Sequence, residues 1–240
     1  MRLLTAVAAD KGYHMRRWDF VAAYLQGALE DDEICYCFGP PGHREKDSEG
    51  VPYVYQIQKP VYGMAQAGRR WQRSLFPFII NLGFKQFGSD PCMFRKTEEI
   101  EGVIQNIIVG VYVDDLCIAY SHDGGNSLYE KFTHSLTERW DVEDEGPITD
   151  LLNVEFDTSV SGQVTLHQKA YIAKLVEAHR NRRSETLTIE DTTTPCRPGL
   201  AEMVADAITI KASGATGVSE SKHREYQSIV GAMLYCATNT

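Results

Sequence analysis

The 240-residue chain is 43% hydrophobic and 24% charged, an ordinary globular composition that excludes a disordered or fibrous protein. Its 24 Lys and Arg against 33 Asp and Glu leave a net charge of −9, which excludes a generic nucleic-acid coat protein, since that function needs a broad basic footprint. No apolar run reaches the roughly 20 residues of a membrane span, and 6 cysteines without a CxxC pair fit neither a disulfide framework nor a zinc site.

Residues 1–9 imitate a secretory leader with an Ala-x-Ala end, but the apolar stretch is short and Asp10-Lys11 follows at once. The chain therefore reads as intracellular and reduced. Leu3, Leu4, Val7 and Ala8 recur at helical spacing, and Gly12 is a natural stop. Residues 13–20 read as a strand entering Asp19. A loop-rich stretch covers 28–50, with the acidic run Glu30-Asp31-Asp32-Glu33 and the turn Gly39-Pro40-Pro41-Gly42, and a short alternating strand covers 51–58. The spacing of Trp71, Leu75, Phe78 and Leu82 predicts a helix over 66–82, closed by Gly83 and kinked at Pro77.

A strand is expected near 92–96, followed by the most apolar stretch of the protein, 103–120. Leu128, Phe132, Leu136 and Trp140 predict an amphipathic helix over 127–140. Two short strands, 151–157 and 163–167, and a helix over 169–179 come next. From 184 to about 221 Thr, Ser, Ala and Gly dominate, as in a linker, before a last helical start at 226–235. Antiparallel hairpins with separate helices point to an α+β fold. The acidic excess is greatest after residue 120, and seven acids with no Lys or Arg lie between Asp141 and Asp157.

Asp114 and Asp115 are adjacent in the apolar stretch, inside Tyr112-Val113-Asp114-Asp115. Two unpaired carboxylates in a dry site cost several kcal/mol by order of magnitude, or one is forced to take up a proton. Two readings follow from these residues: a hairpin tip exposed to water, since Asp is a common turn residue, or a tip aimed into a cleft where divalent cations neutralise the pair. Asp19 ends a second strand. Three carboxylates on two strands are what two-metal phosphoryl chemistry requires, and magnesium uses few protein carboxylates and many substrate oxygens. A calcium-binding α+β domain is a further possibility, but it lacks the oxygen-rich loop such a site needs.

The order of motifs is more specific. Asp19-x-x-x-Ala23-Tyr24-Leu25-x-Gly27-x-Leu29 precedes Tyr112-Val113-Asp114-Asp115, with Pro40-Pro41-Gly42, Lys59-x-x-Tyr62-Gly63-x-x-Gln66-Ala67, Trp71 and Ser89-Asp90-Pro91-Cys92-x-Phe94 between them. Gln168-x-x-Tyr171, Thr194-Pro195 and Tyr226-x-x-x-Val230-Gly231-x-x-Leu234-Tyr235 follow. The set resembles the reverse transcriptase of copia-type retrotransposons along essentially the whole chain.

The resemblance implies a right-hand polymerase palm, an antiparallel sheet with a Tyr-Val-Asp-Asp hairpin and helices on one face. It divides the chain into a first palm segment, 1–27, the rest of the fingers, 28–66, the palm proper, 67–158, and the start of a thumb with a linker toward a connection and ribonuclease H region, 159–240. It implies RNA-directed DNA polymerisation with two Mg²⁺, for which Mn²⁺ can substitute, ligated by Asp19, Asp114 and Asp115. Phe20, Val21, Ala22, Ala23, Tyr24 and Gln66 would meet the incoming nucleotide, with Tyr24 under the sugar to exclude a 2′-hydroxyl. Arg69, Arg70 and Arg73 are candidates for nucleic-acid phosphates, although a solvated helix face is the commoner explanation for such a run.

The implied partners are an RNA or DNA template-primer, deoxynucleoside triphosphates and the remaining Pol segments, namely fingers, ribonuclease H and integrase. No membrane is among them, and the implied setting is a cytoplasmic particle or the nucleus. The alternative is a catalytically inactive remnant of a decayed element. Asn153 stands where the family usually has Gly, a substitution that a left-handed turn tolerates.

Overall fold

The computed structural model describes residues 2–30, 32–158, 160, 163–182 and 219–239. The expected linker over 184–221 lies, up to residue 218, outside the described residues, as does Thr194-Pro195. The chain divides into two compact units, Met1–Thr149 with Thr158–Val164, and Asp150–Asp157 with Thr165–Thr240.

In the first unit, helix α1 (Arg2–Lys11) ends at Gly12, whose φ of +64° suits a residue without Cβ. Strand β1 (His14–Phe20) follows, then the short helix α2 (Ala23–Gln26) and the ribbon of β2 (Tyr36–Phe38) with β3 (Val54–Gln56). Helix α3 (Ala67–Asn81) contains Pro77 and buries the i, i+4 stripe of Trp71, Leu75 and Ile79. Strands β4 (Lys85–Gln86), β5 (Met93–Ile100), β6 (Val103–Tyr112) and β7 (Asp115–Tyr120) form antiparallel hairpins in sequence. Helix α4 (Leu128–Arg139) starts at Ser127, whose hydroxyl accepts the Glu130 N–H, and strand β8 (Val142–Pro147) closes the set.

These strands make one antiparallel sheet in the order β4-β5-β6-β7-β1-β8. β1 is thus an interior strand although it comes first in sequence, inserted between a hairpin made a hundred residues later and the edge strand β8. The core lies between one sheet face and α3 and α4, joining Trp18, Phe20, Leu116 and Ile118 to Trp71, Leu75, Phe132 and Leu136. Aromatic rings meet edge to face there, Phe20 with Trp71 at 4.8 Å and Trp71 with Trp140 at 5.0 Å. β7 is buried on both faces, because α1 packs on it from the other side. That second contact explains why the 103–120 stretch is continuously apolar rather than alternating.

The second unit contains a three-stranded antiparallel sheet of β9 (Asp150–Leu151), β10 (Val154–Asp157) and β11 (Thr165–His167). Helices α5 (Lys169–Arg182) and α6 (Glu220–Asn239) complete it, with Tyr171 against Tyr235 at 5.3 Å. Leu152 and Asn153 both take positive φ, 53° and 58°, so the left-handed turn expected at Asn153 is present. The mixed fold with antiparallel sheets is the expected α+β class. No helix among the described residues is long and apolar enough to cross a membrane.

Candidate active site

Sheet register brings two of the three expected carboxylates together. Asp19 pairs with Asp115 across β1 and β7, and Tyr112 pairs with Asp115 across β6 and β7. Strand side chains alternate, so Trp18 and Phe20 enter the α3 and α4 core while Asp19 emerges on the opposite face. Val113 and Asp114 form the two-residue turn of the β6–β7 hairpin. Such turns favour glycine at a positive-φ position, yet Val113 has φ of +56°, a costly conformation for a β-branched residue.

Two bonds hold this turn. The Phe20 N–H donates to the Asp114 carbonyl at 2.8 Å, and the buried Trp71 indole donates to the Val113 carbonyl at 2.6 Å. Strand end and turn are therefore fixed to each other one residue from each carboxylate. Gln26 fastens the other flank. Its amide donates to the carbonyls of Val21 and Asp141 and accepts the Asp141 N–H, all within 2.8 Å.

The field at this spot is negative. Burial pushes the Asp19 carboxyl up from its ordinary value, and Asp114, Asp115 and Glu145 push it further, with Arg17 opposing them. Asp115 is also raised by burial, against the lowering effect of Arg17. Asp19 has a second acidic neighbour, since its partner in β8 is Glu143. Arg17 lies 2.9 Å from Asp115 and 3.0 Å from Glu145, and the Tyr62 hydroxyl lies 3.5 Å from Asp114.

Among the described residues, no group of three or more His, Cys, Asp or Glu side chains is already closed around a metal position. The donor set nonetheless suits Mg²⁺. Carboxylates crowded enough to raise one another's proton affinity are relieved by a cation, and Mg²⁺ takes most of its remaining ligands from water and substrate.

The other expected site residues are distributed unevenly. The half-buried Tyr24 ring packs against Tyr62 at 4.4 Å, its hydroxyl beside Gly68. Gln66 sits at the start of α3 with its amide 3.6 Å from the Cys35 sulfur. Of the backbone amides of residues 20–23, that of Phe20 donates to Asp114 and that of Val21 to Asp141, which leaves those of Ala22 and Ala23. Ala22 takes φ of +50°.

The basic cluster divides. Arg70 is buried and pairs with Glu30 and Glu33, and Arg73 also pairs with Glu30. The acidic run of the loop thus neutralises these two, while Arg69 is exposed on the same helix. Arg17, Gln26 and Glu143 were not singled out by the sequence, and Tyr62 only as a member of the motif order. Arg17 was findable, because i and i+2 share a strand face with Asp19. The other three meet the site through long-range pairing that no local pattern encodes. A separate cleft of about 580 Å³, lined by Ala8, His14, Arg16, Tyr120 and Ile148 among others, lies at the opposite end of β1.

Over residues 1–192 the sequence matches the family described as reverse transcriptase (RNA-dependent DNA polymerase), a class of nucleotidyltransferase. The chain belongs to the reverse transcriptase family. It is 30% identical over 241 residues to the retrovirus-related Pol polyprotein from transposon RE1 of Arabidopsis thaliana, covering 99% of this chain and 14% of that protein. It is 29% identical to the Pol polyprotein from transposon RE2 of the same plant, over 99% of this chain and 14% of the relative. Similarity to the polyprotein from transposon TNT 1-94 of Nicotiana tabacum is 25% over 78% of this chain. The chain thus spans about a seventh of the Pol polyproteins it matches. The copia-type resemblance of the motifs agrees with these relatives.

Proposed function

We propose that this chain is the palm-bearing part of an RNA-directed DNA polymerase from a copia-type retrotransposon Pol polyprotein. In this reading 1–27 and 67–158 form the palm, 28–66 belongs to the fingers, and 159–240 begins the thumb. Its partners are an RNA or DNA template-primer, deoxynucleoside triphosphates and the other Pol segments, in a cytoplasmic particle or the nucleus. The observation that carries it is the juxtaposition of Asp19 and Asp115 by strand register, with Asp114 tied to the same strand end through Phe20.

Asp19, Asp114 and Asp115 would hold the divalent pair, Mg²⁺ or Mn²⁺. When bound, that pair supplies acidification of the primer 3′-hydroxyl and neutralisation of the triphosphate. The residues of this chain do the positioning. The tethers from Trp71 and Phe20 fix where Asp114 stands, and rigid placement matters because a displacement of about 1 Å can cost on the order of 100-fold. Tyr24 would lie under the sugar, with the Tyr62 ring packed against it. The amides of Ala22 and Ala23 would face phosphate oxygens, Gln66 would approach the nucleotide from the start of α3, and Arg69 is the cluster member available to a nucleic-acid backbone.

The test is incorporation on poly(rA)·oligo(dT) with Mg²⁺, by the chain together with its flanking polyprotein sequence. Deoxythymidylate incorporation is expected. Tyr24→Val is expected to raise ribonucleotide incorporation by on the order of tenfold or more while deoxynucleotide incorporation stays within a few-fold. An unchanged ribose-to-deoxyribose preference would make Tyr24 a core aromatic and nothing else.

A further inference from the structure

Arg17 lies between two carboxylates of different character. Its Nε is 2.9 Å from Asp115 Oδ1 and 3.0 Å from Glu145 Oε2. The Asp115 side chain is 14% exposed, whereas that of Glu145 is 41% exposed. Arg17 reaches Asp115 because it shares the strand face of Asp19, two residues on. Glu145 reaches Arg17 because the β1–β8 register shifts between Arg17 and Trp18, where Arg17 pairs with Gly146 and Trp18 with Asp144. The skipped residue is Glu145, and a bulge of this kind re-aims a side chain.

We propose that Arg17 is a positioning residue that stands in for a cation at Asp115 and gives that carboxylate up, keeping Glu145, when a divalent metal arrives. This rests on the reading of Asp19, Asp114 and Asp115 as metal ligands. A guanidinium cannot lose its proton in a protein, so it can leave Asp115 only by moving. A metal approaching Asp115 competes with it for the same oxygens. Glu145 already holds the guanidinium on the solvent side, so Arg17 can release Asp115 while keeping a charge-assisted partner. With Arg17 on Asp115 the crowded acids are partly neutralised before metal binds, and the cost of displacing Arg17 keeps metal affinity low.

The experiment is Mn²⁺ titration of the 240-residue chain, read as loss of the electron paramagnetic resonance signal of free Mn²⁺. Arg17→Gln is expected to bind Mn²⁺ about tenfold more tightly than wild type, the size of one partly screened charge interaction. Arg17→Lys, which keeps the charge, should stay within about twofold. Glu145→Gln removes the solvent-side carboxylate from Arg17 and should weaken binding about threefold, an effect that shrinks in the Arg17→Gln background because the coupling runs through Arg17. Asp114→Asn is the reference for loss of the metal site.

If Asp114→Asn weakens binding but Arg17→Gln does not tighten it, the metal reading stands and the proposal for Arg17 is overturned. If wild type and Arg17→Gln both fail to bind Mn²⁺, the metal reading falls and this proposal with it. Circular dichroism checks the fold of each variant. Should Arg17→Gln be misfolded, the exposed Glu145→Gln decides, since unchanged or tighter binding there overturns the proposal.

Discussion

Asp19→Asn is expected to reduce template-directed synthesis by at least about a thousandfold while raising the thermal stability of the metal-free protein. Loss of activity alone would be ambiguous; the opposite signs together are not. The Asp19 carboxyl is raised by burial and by Asp114, Asp115 and Glu145. A carboxyl raised on folding makes the folded state bind more protons than the unfolded state across the range from its ordinary value to its folded one. Its contribution therefore falls as pH rises through that range and is fully unfavourable above it. Asn removes the charge and the penalty. The melting temperature of metal-free wild type should thus fall relative to that of Asp19→Asn as pH rises above the ordinary carboxyl value of 3.8. A residue kept for stability would show the reverse.

The second large effect lies behind the site. Trp71→Ala is expected to cost about 3–5 kcal/mol of unfolding free energy, the usual range for emptying a large aromatic position, measured by urea denaturation. Trp71 is 1% exposed, packs edge to face with Phe20 and Trp140, and donates its indole N–H to the Val113 carbonyl. Trp71→Phe keeps most of the packing but leaves that carbonyl without its donor, at about 1 kcal/mol. The phenylalanine variant separates the two contributions. Because Val113 holds a strained turn conformation, its catalytic loss should exceed its stability loss.

Much of the element order was legible in local patterns. The helical recurrence of Trp71 and Leu75, that of Leu128, Phe132 and Leu136, and Gly12 as a stop mark α3, α4 and the end of α1 as sequence features. What was not legible is pairing. The interior position of β1 depends on contacts with strands about a hundred residues away, and hydropathy carries no record of which strand joins which. The same gap hid Glu143, which belongs to an acidic run in sequence but stands opposite Asp19 only through β8 register.

The candidate carboxylates were visible because ionisable groups in an apolar strand conflict with their setting, and such conflict marks sites of function. Their neighbours were harder to see. Arg70 and Arg73 were indistinguishable by composition from phosphate-binding groups, and the loop acids Glu30 and Glu33 claim them only after folding. Tyr62 carries no signal of its nearness to Asp114, since 52 residues separate them in the chain.

The most direct measurement is the location of Mn²⁺ by anomalous scattering in crystals of the chain grown with a template-primer and a non-hydrolysable deoxynucleoside triphosphate. The account predicts density within about 2.0–2.4 Å of carboxylate oxygens of both Asp19 and Asp114, shared with phosphate oxygens of the nucleotide. Manganese bound elsewhere, or nucleotide seated without metal at these two aspartates, would contradict it.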